Sequence, residues 1–353
     1  MGQDELRRGD WVEVRGPAEI LATLDEEGKL EALPFMPEMA AYCGRRFTVL
    51  ARAEKLCDGI EYSGSRRLPA SVLLEDLRCD GSHHDGCQAA CRLLWKEAWL
   101  KAVTPEAAPA QLPSEQDMAA LLDRASRSAR GVERGEGEEV VYYRCQATDL
   151  IRYTVRLNTF DPRVYVREFT CGNVSLARFV RVSTRAAIQE PMRRLNLLPD
   201  IHLPGTAKKG DEFPALDLQV GEKVRIKSKE EILRTLGPDG RNKGLWFDRE
   251  MLAFCGKVFR VLKRMSRLID ERTGKMIVLK TVSFTLDGAV CPGDLTPRHW
   301  FCPRGVYPYW RECWLERVEP AVASAHPASE ARNPRVSETE PPVAALAMAP
   351  GAR

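Results

Sequence analysis

The feature that most constrains this chain is that it repeats itself. Set against itself at an offset of 212, Val12 falls on Val224, Glu19-Ile20-Leu21 on Glu231-Ile232-Leu233, and Thr23-Leu24 on Thr235-Leu236. The register continues without a gap through Phe35 on Phe247, Glu38-Met39 on Glu250-Met251 and Cys43-Gly44 on Cys255-Gly256. About 17 of the 39 positions from Val12 to Leu50 are identical, which marks an internal repeat and predicts two related domains.

Each copy opens on alternating apolar residues, Trp11-Val-Glu-Val-Arg and Lys223-Val-Arg-Ile-Lys, the period of a half-buried strand. A short helix follows. In the second copy Ser228 and Glu231 form a capping box; in the first, Pro17 takes the first helical position with Glu19 where Glu231 stands. A second short helix starts near Pro37 or Asp248 and should stop at Gly44 or Gly256, the left-handed position glycine favours. Runs such as Phe47-Thr-Val-Leu and Phe259-Arg-Val-Leu, with others around 72–77 and 276–284, read as strands between turns and suggest a small twisted barrel.

Between the copies, 104–114 is Ala/Pro-rich and reads as a linker. The segment 115–212 reads as α/β: a helix from 115 to about 130, strands around 140–145 and 152–157, and a helix from Ser175 to about Leu195, bent or ended near Pro191. Leu176, Phe179 and Val180 have the spacing of a core-facing helix stripe. The expected organisation is α+β and β-rich. A first repeat (8–103) and a second (213–319), each a small SH3-like barrel, flank the central segment; the tail 320–353, poor in large apolar residues, is expected to be disordered.

The cysteines supply the chemistry. Eleven of them in a chain with no apolar leader and no run of 18 apolar residues suggest a reducing, cytoplasmic setting, no membrane, and thiols serving metal rather than disulfides. Cys57, Cys79, Cys87 and Cys91 supply four thiolates, enough for a tetrahedral zinc site or for a 4Fe-4S cluster, with His83 and His84 as alternate ligands. The two histidines read more readily as exposed loop residues. Aligning Trp310 with Trp95 puts Cys302 on Cys87, Val306 on Cys91, Cys291 on Cys79 and Ile269 on Cys57, so the second copy is expected to carry a degenerate site. Cys43 and Cys255, and the tryptophans Trp95, Trp99, Trp310 and Trp314, read as core.

A net charge of +3 does not argue for nucleic acid, although residues 152–209 carry nine Arg and two Lys against four acidic residues, interleaved with aromatics. That segment is either a polyanion surface or an arginine-coated helix. No G-x-G-x-x-G, H-E-x-x-H or G-x-S-x-G is present, and Gly205 to Asp211 lacks the P-loop lysine, so the sequence leans away from an enzyme. Cys171, ahead of a predicted helix, is a candidate activated thiolate without an evident base.

Gly9-Asp10-Trp-Val-Glu-Val-Arg, Pro34-Phe35-Met-Pro-Glu-Met39, Arg78-Cys79-Asp80-Gly81, Gly86-Cys87-Gln-Ala-Ala-Cys91 and Trp95-Lys-Glu-Ala-Trp-Leu100 together resemble a bacterial family with a duplicated cysteine-bearing domain. The opening Gly-Asp-x-Val-x-Val also resembles the first strand of SH3-like or KOW-like barrels. The resemblance implies a bacterial source and offers no activity to carry over. The expected function is a metal-stabilised accessory protein that binds a protein or peptide partner. An iron-sulfur enzyme or electron carrier, and a nucleic-acid binder using 152–209, are the alternatives.

Overall fold

The alternating stretches form antiparallel strands in both copies, and the two copies pair them alike. The computed structural model describes residues 5–61, 63–105, 114–134, 139–195, 197, 203–208 and 210–318; the tail 320–353 and most of the expected linker lie outside the described residues. In the first copy the sheet order is Arg92–Lys96, Ser71–Arg78, Arg46–Arg52, Trp11–Val14, Leu100–Ala102. In the second it is Met276–Leu286, Val258–Ile269, Lys223–Ile226, Leu315–Arg317, with Trp310 bridging Phe284 where the first copy has its outer strand. Val12 faces Phe47 and Ala102; Val224 faces Phe259 and Arg317. Both sheets curl into half-barrels, and the molecule is mixed and strand-rich.

The first short helices, Pro17–Leu21 and Lys229–Leu233, start as their sequences require. Glu19 accepts from the Gly16 backbone N–H at 3.0 Å beside Pro17, while Ser228 and Glu231 cap each other's backbone at 3.0 and 3.3 Å. The second pair, Pro37–Tyr42 and Arg249–Phe254, are 3₁₀ turns closed by Gly44 and Gly256 at φ of +73° and +77°. One tryptophan arrangement recurs in each core. Phe35 meets Trp99 edge-on at 5.2 Å and Phe247 meets Trp314 at 5.3 Å; each indole donates to a threonine, Trp99 to Thr23 and Trp314 to Thr235. Trp95, Trp99, Trp310 and Trp314 are fully buried, Cys43 is buried, and Cys255 is half-buried.

The central segment differs from its expected outline in three places. Residues 150–153 form a helical turn, Leu150–Tyr153, because Leu150 and Tyr153 both reach into the first copy's core; only Val155–Arg156 is strand, added to the edge strand Ser65–Arg67. The helix Leu176–Arg194, capped by Ser175, runs through Pro191, whose carbonyl still accepts from Leu195. That helix turns Phe179 and Val182 inward, with Phe179 stacked on Phe301 at 5.7 Å, which leaves Leu176 and Val180 exposed rather than in the core. The helix Glu115–Ser126 contributes Leu121 and Ala125 to the first copy's core.

Candidate metal centre

The first repeat brings together one carboxylate, one thiol and one imidazole. Glu38 sits in the turn Pro37–Tyr42, Cys79 follows the strand Ser71–Arg78, and His84 closes a tight loop in which its N–H and that of Gly86 bond the Gly81 carbonyl at 3.0 Å. Gly81 is required there: at φ +79°, a Cβ would lie 2.0 Å from the Cys87 carbonyl oxygen. Among the described residues this is the one group of three whose ligating atoms all lie within 4.8 Å of one another.

The electrostatics of the trio are those of an incomplete set. Glu38 is 8 % and His84 1 % exposed, yet neither carboxylate oxygen and neither ring nitrogen makes a hydrogen bond of good geometry, with the Cys79 thiol beside the carboxylate and the Arg144 backbone beside the imidazole. Such groups cost about 1–3 kcal/mol each, and more when charged, unless something satisfies them. Burial, reinforced by the Glu38 carboxylate and then Cys91, pushes the Cys79 thiol far up; burial pushes the His84 imidazole down, against the pull of Glu38. A divalent cation between them would answer all three at once, since it accepts carboxylate oxygen, neutral imidazole and thiolate and drives the thiol to ionise.

The trio lies on the wall of a cavity of about 330 Å³, which Cys87, Cys91 and Arg304 also line. The four predicted cysteine ligands are distributed differently. Cys79 is in the trio; Cys87 and Cys91 border the same cavity, and the Cys79 N–H bonds the Cys91 carbonyl at 2.8 Å. Cys57 faces the second repeat, its N–H donating to Cys302 Sγ at 3.1 Å. The histidines part: His84 is buried in the trio and His83 is exposed. Cys171 ends the helix Arg163–Thr170, and burial pushes its thiol up to about 11, so it is no activated thiolate.

The second repeat places the same residue types and uses them otherwise. Cys291 N–H bonds the Val306 carbonyl as Cys79 bonds Cys91, and Cys302 N–H bonds the His299 carbonyl as Cys87 bonds His84. Glu250 occupies the place of Glu38 but accepts from the backbone N–H of Asp294 at 3.0 Å, Leu295 at 2.6 Å and Thr296 at 2.5 Å. Those amides belong to an insertion, since the offset between copies rises from 212 at Cys79/Cys291 to 215 at Cys87/Cys302. Glu38 is the candidate ligand that cysteine spacing missed. Its signal is an acidic residue held in an apolar turn of both copies, together with that change of offset. No protein-family model matches the chain and no curated protein matches it, so the chemistry of the site rests on these side chains.

Proposed function

We propose that this protein binds one Zn²⁺ through Glu38, Cys79 and His84, and that the ion stabilises an accessory, partner-binding protein of the bacterial cytoplasm. The observation that carries the reading is the convergence of unpartnered, buried Glu38 and His84 atoms on Cys79. A mixed oxygen, nitrogen and sulfur set favours zinc over an iron-sulfur cluster, which is held by thiolates. Three ligands beside a cavity leave the fourth position to Cys87, Cys91 or a small molecule. The partner role draws on the exposed Leu176, Val180 and Ile188 of the helix Leu176–Arg194. The nucleic-acid alternative is weakened because arginines of 152–209 are engaged within the protein, Arg167 by Glu54 at 2.6 Å and Arg178 and Arg181 by Asp294 at 2.8 and 3.2 Å. SH3-like geometry for each half-barrel is part of the same proposal.

Metal analysis of the purified protein beside single variants tests it. One zinc per chain is expected in the wild type and in Cys57→Ala, and none in Cys79→Ala or His84→Ala. A metal-free wild type, or loss in Cys57→Ala matching that in Cys79→Ala, would return the argument to the four-cysteine set or remove the metal altogether. Substitution with Co²⁺ counts the thiolates directly by the intensity of the sulfur charge-transfer bands.

A further inference from the structure

The two repeats grip each other through one contact made twice. Ile269 N–H donates to Cys87 Sγ at 3.4 Å, and Cys57 N–H donates to Cys302 Sγ at 3.1 Å. Cys57 is the counterpart of Ile269 and Cys302 that of Cys87. Each hairpin therefore reaches across to the cysteine loop of the other copy. At one crossing a thiol meets isoleucine. At the other a cysteine stands on each side, with the Cys57 backbone N–H against Cys302 Sγ.

The surroundings of the second crossing are cationic. Lys55, fully buried, holds its ammonium between Ser65 Oγ and the Arg298 carbonyl, both at 2.8 Å, and over the Tyr165 ring at 5.0 Å. Arg304 donates to the Cys57 carbonyl at 3.0 Å, lies 3.9 Å from Cys57 Sγ, and is paired with Glu271 at 2.8 Å. Two neighbouring cysteines beside cations, one of them accepting a backbone N–H at its sulfur, have the surroundings of an attacking and a resolving cysteine.

We propose that Cys57 and Cys302 form a redox-active dithiol, oxidised by peroxides to a disulfide that ties the first repeat to the second. The Cys302 thiolate attacks one peroxide oxygen. The O–O bond breaks, Cys302 becomes a sulfenic acid, and the departing hydroxide takes up the thiol proton as water. Cys57 sulfur then attacks the sulfenic sulfur; the S–O bond breaks, and the hydroxyl leaves as a second water with the Cys57 proton. Two thiols and one hydrogen peroxide give one disulfide and two waters, the sulfurs losing two electrons to the peroxide.

The assignment of Cys302 as attacker follows from its environment. Its Sγ accepts the Cys57 backbone N–H at 3.1 Å, a donor that favours the thiolate form, and the neighbouring Arg304 works in the same direction against burial. Cys302 is buried and Cys57 half-buried, so a protein oxidant is kept from the pair.

The test is peroxide treatment of the folded wild-type chain, alkylation, and mapping of non-reduced peptides. Titratable thiols should fall from eleven to nine per chain, with one linked peptide pair joining Cys57 to Cys302, reversed by dithiothreitol. In Cys57→Ser, a sulfenic acid trap should label Cys302; in Cys302→Ser, Cys57 should stay reduced. The proposal fails if all eleven thiols survive in the wild type, or if the linked pairs are other cysteines; both readings need no variant to fold. Labelling of Cys57 in place of Cys302 would overturn the assigned roles. Zinc content, followed in the same samples, reports on the metal site separately.

Discussion

Glu38 and Glu250 occupy the same turn of the same repeat and are nearly equally buried, at 8 % and 4 % exposure, yet they meet opposite fates. Glu250 is held by three backbone amides of a loop lengthened by three residues; Glu38 faces Cys79 and His84 with both oxygens unpartnered. A buried carboxylate needs donors or a cation, and the two copies have taken one answer each. In the second copy the inserted residues satisfy the carboxylate with N–H groups, whichever thiols it kept. The difference teaches that a loop length separates the surroundings of the two carboxylates, a feature to which cysteine counting, which singles out Cys57 and Cys91, is blind.

The largest effect that would break this comparison is metal removal. Structural zinc can contribute on the order of 10 kcal/mol to folding, so a strong chelator should lower the thermal midpoint of the wild type steeply. The same treatment should leave the midpoint of His84→Ala, already metal-free, unmoved. Cys291→Ala and His299→Ala should retain the full zinc content. Equal midpoints with and without chelator would leave the Glu38 trio without its ion.

Next in size is a pH effect at His299, where the second copy packs on the first. Burial, then Lys55, push the His299 imidazole down to about 4, with Asp58 opposing. The unfolded chain binds that proton near pH 6.5 while the folded chain refuses it until near 4, so stability falls as pH drops across that window and levels off below it. The loss is about 3 kcal/mol, since each tenfold change in proton affinity is worth about 1.4 kcal/mol. His299→Gln should flatten the denaturation midpoint between pH 6.5 and 4 relative to wild type; an unchanged slope would remove His299 as its cause.

The carboxylates themselves come third. Glu250→Gln puts an amide group against three N–H donors and should cost about 2–3 kcal/mol in urea denaturation, the scale of hydrogen bonds to a charged group. In chelator, Glu38→Gln should be neutral or stabilising, because it removes a buried charge that has no partner. Equal costs for the two variants in metal-free protein would mean that Glu38 has donors after all.

Much of the fold is legible in the chain. The ungapped alignment of Val12 to Leu50 with Val224 to Leu262 anticipates paired strands, caps and turns, because apolar spacing and capping residues act locally. His84 and Cys79 stand among the candidate ligands for their chemistry. Glu38 does not, since a carboxylate becomes a ligand only when the fold buries it and withholds donors. Cys57 lies away from that trio for the complementary reason. Its partner Cys302 lies 245 residues away, and only the crossing of the hairpins brings them together. Leu176 and Val180 have core spacing but stand exposed, because Phe301 decides which face of that helix is covered.

The smallest effect asks whether the copies differ anywhere else. Thr23 accepts the Trp99 indole N–H at 3.0 Å and Thr235 that of Trp314 at 2.8 Å, and each hydroxyl donates onward at 2.7 Å, to the Ile20 and Ile232 carbonyls. Thr23→Val and Thr235→Val keep the shape and strand one indole donor in each core, which should cost about 1 kcal/mol apiece. The two values should be close because the packing partners correspond, Ile20 with Ile232 and Phe35 with Phe247, although Thr235 also meets Cys313 where the first copy has Ala98. Agreement would confine the divergence of the copies to the loops after Cys79 and Cys291. A Thr235→Val cost several times that of Thr23→Val would show that the insertion has reshaped the second core as well, and the contrast between Glu38 and Glu250 would then reflect a different packing around each carboxylate rather than three added amides.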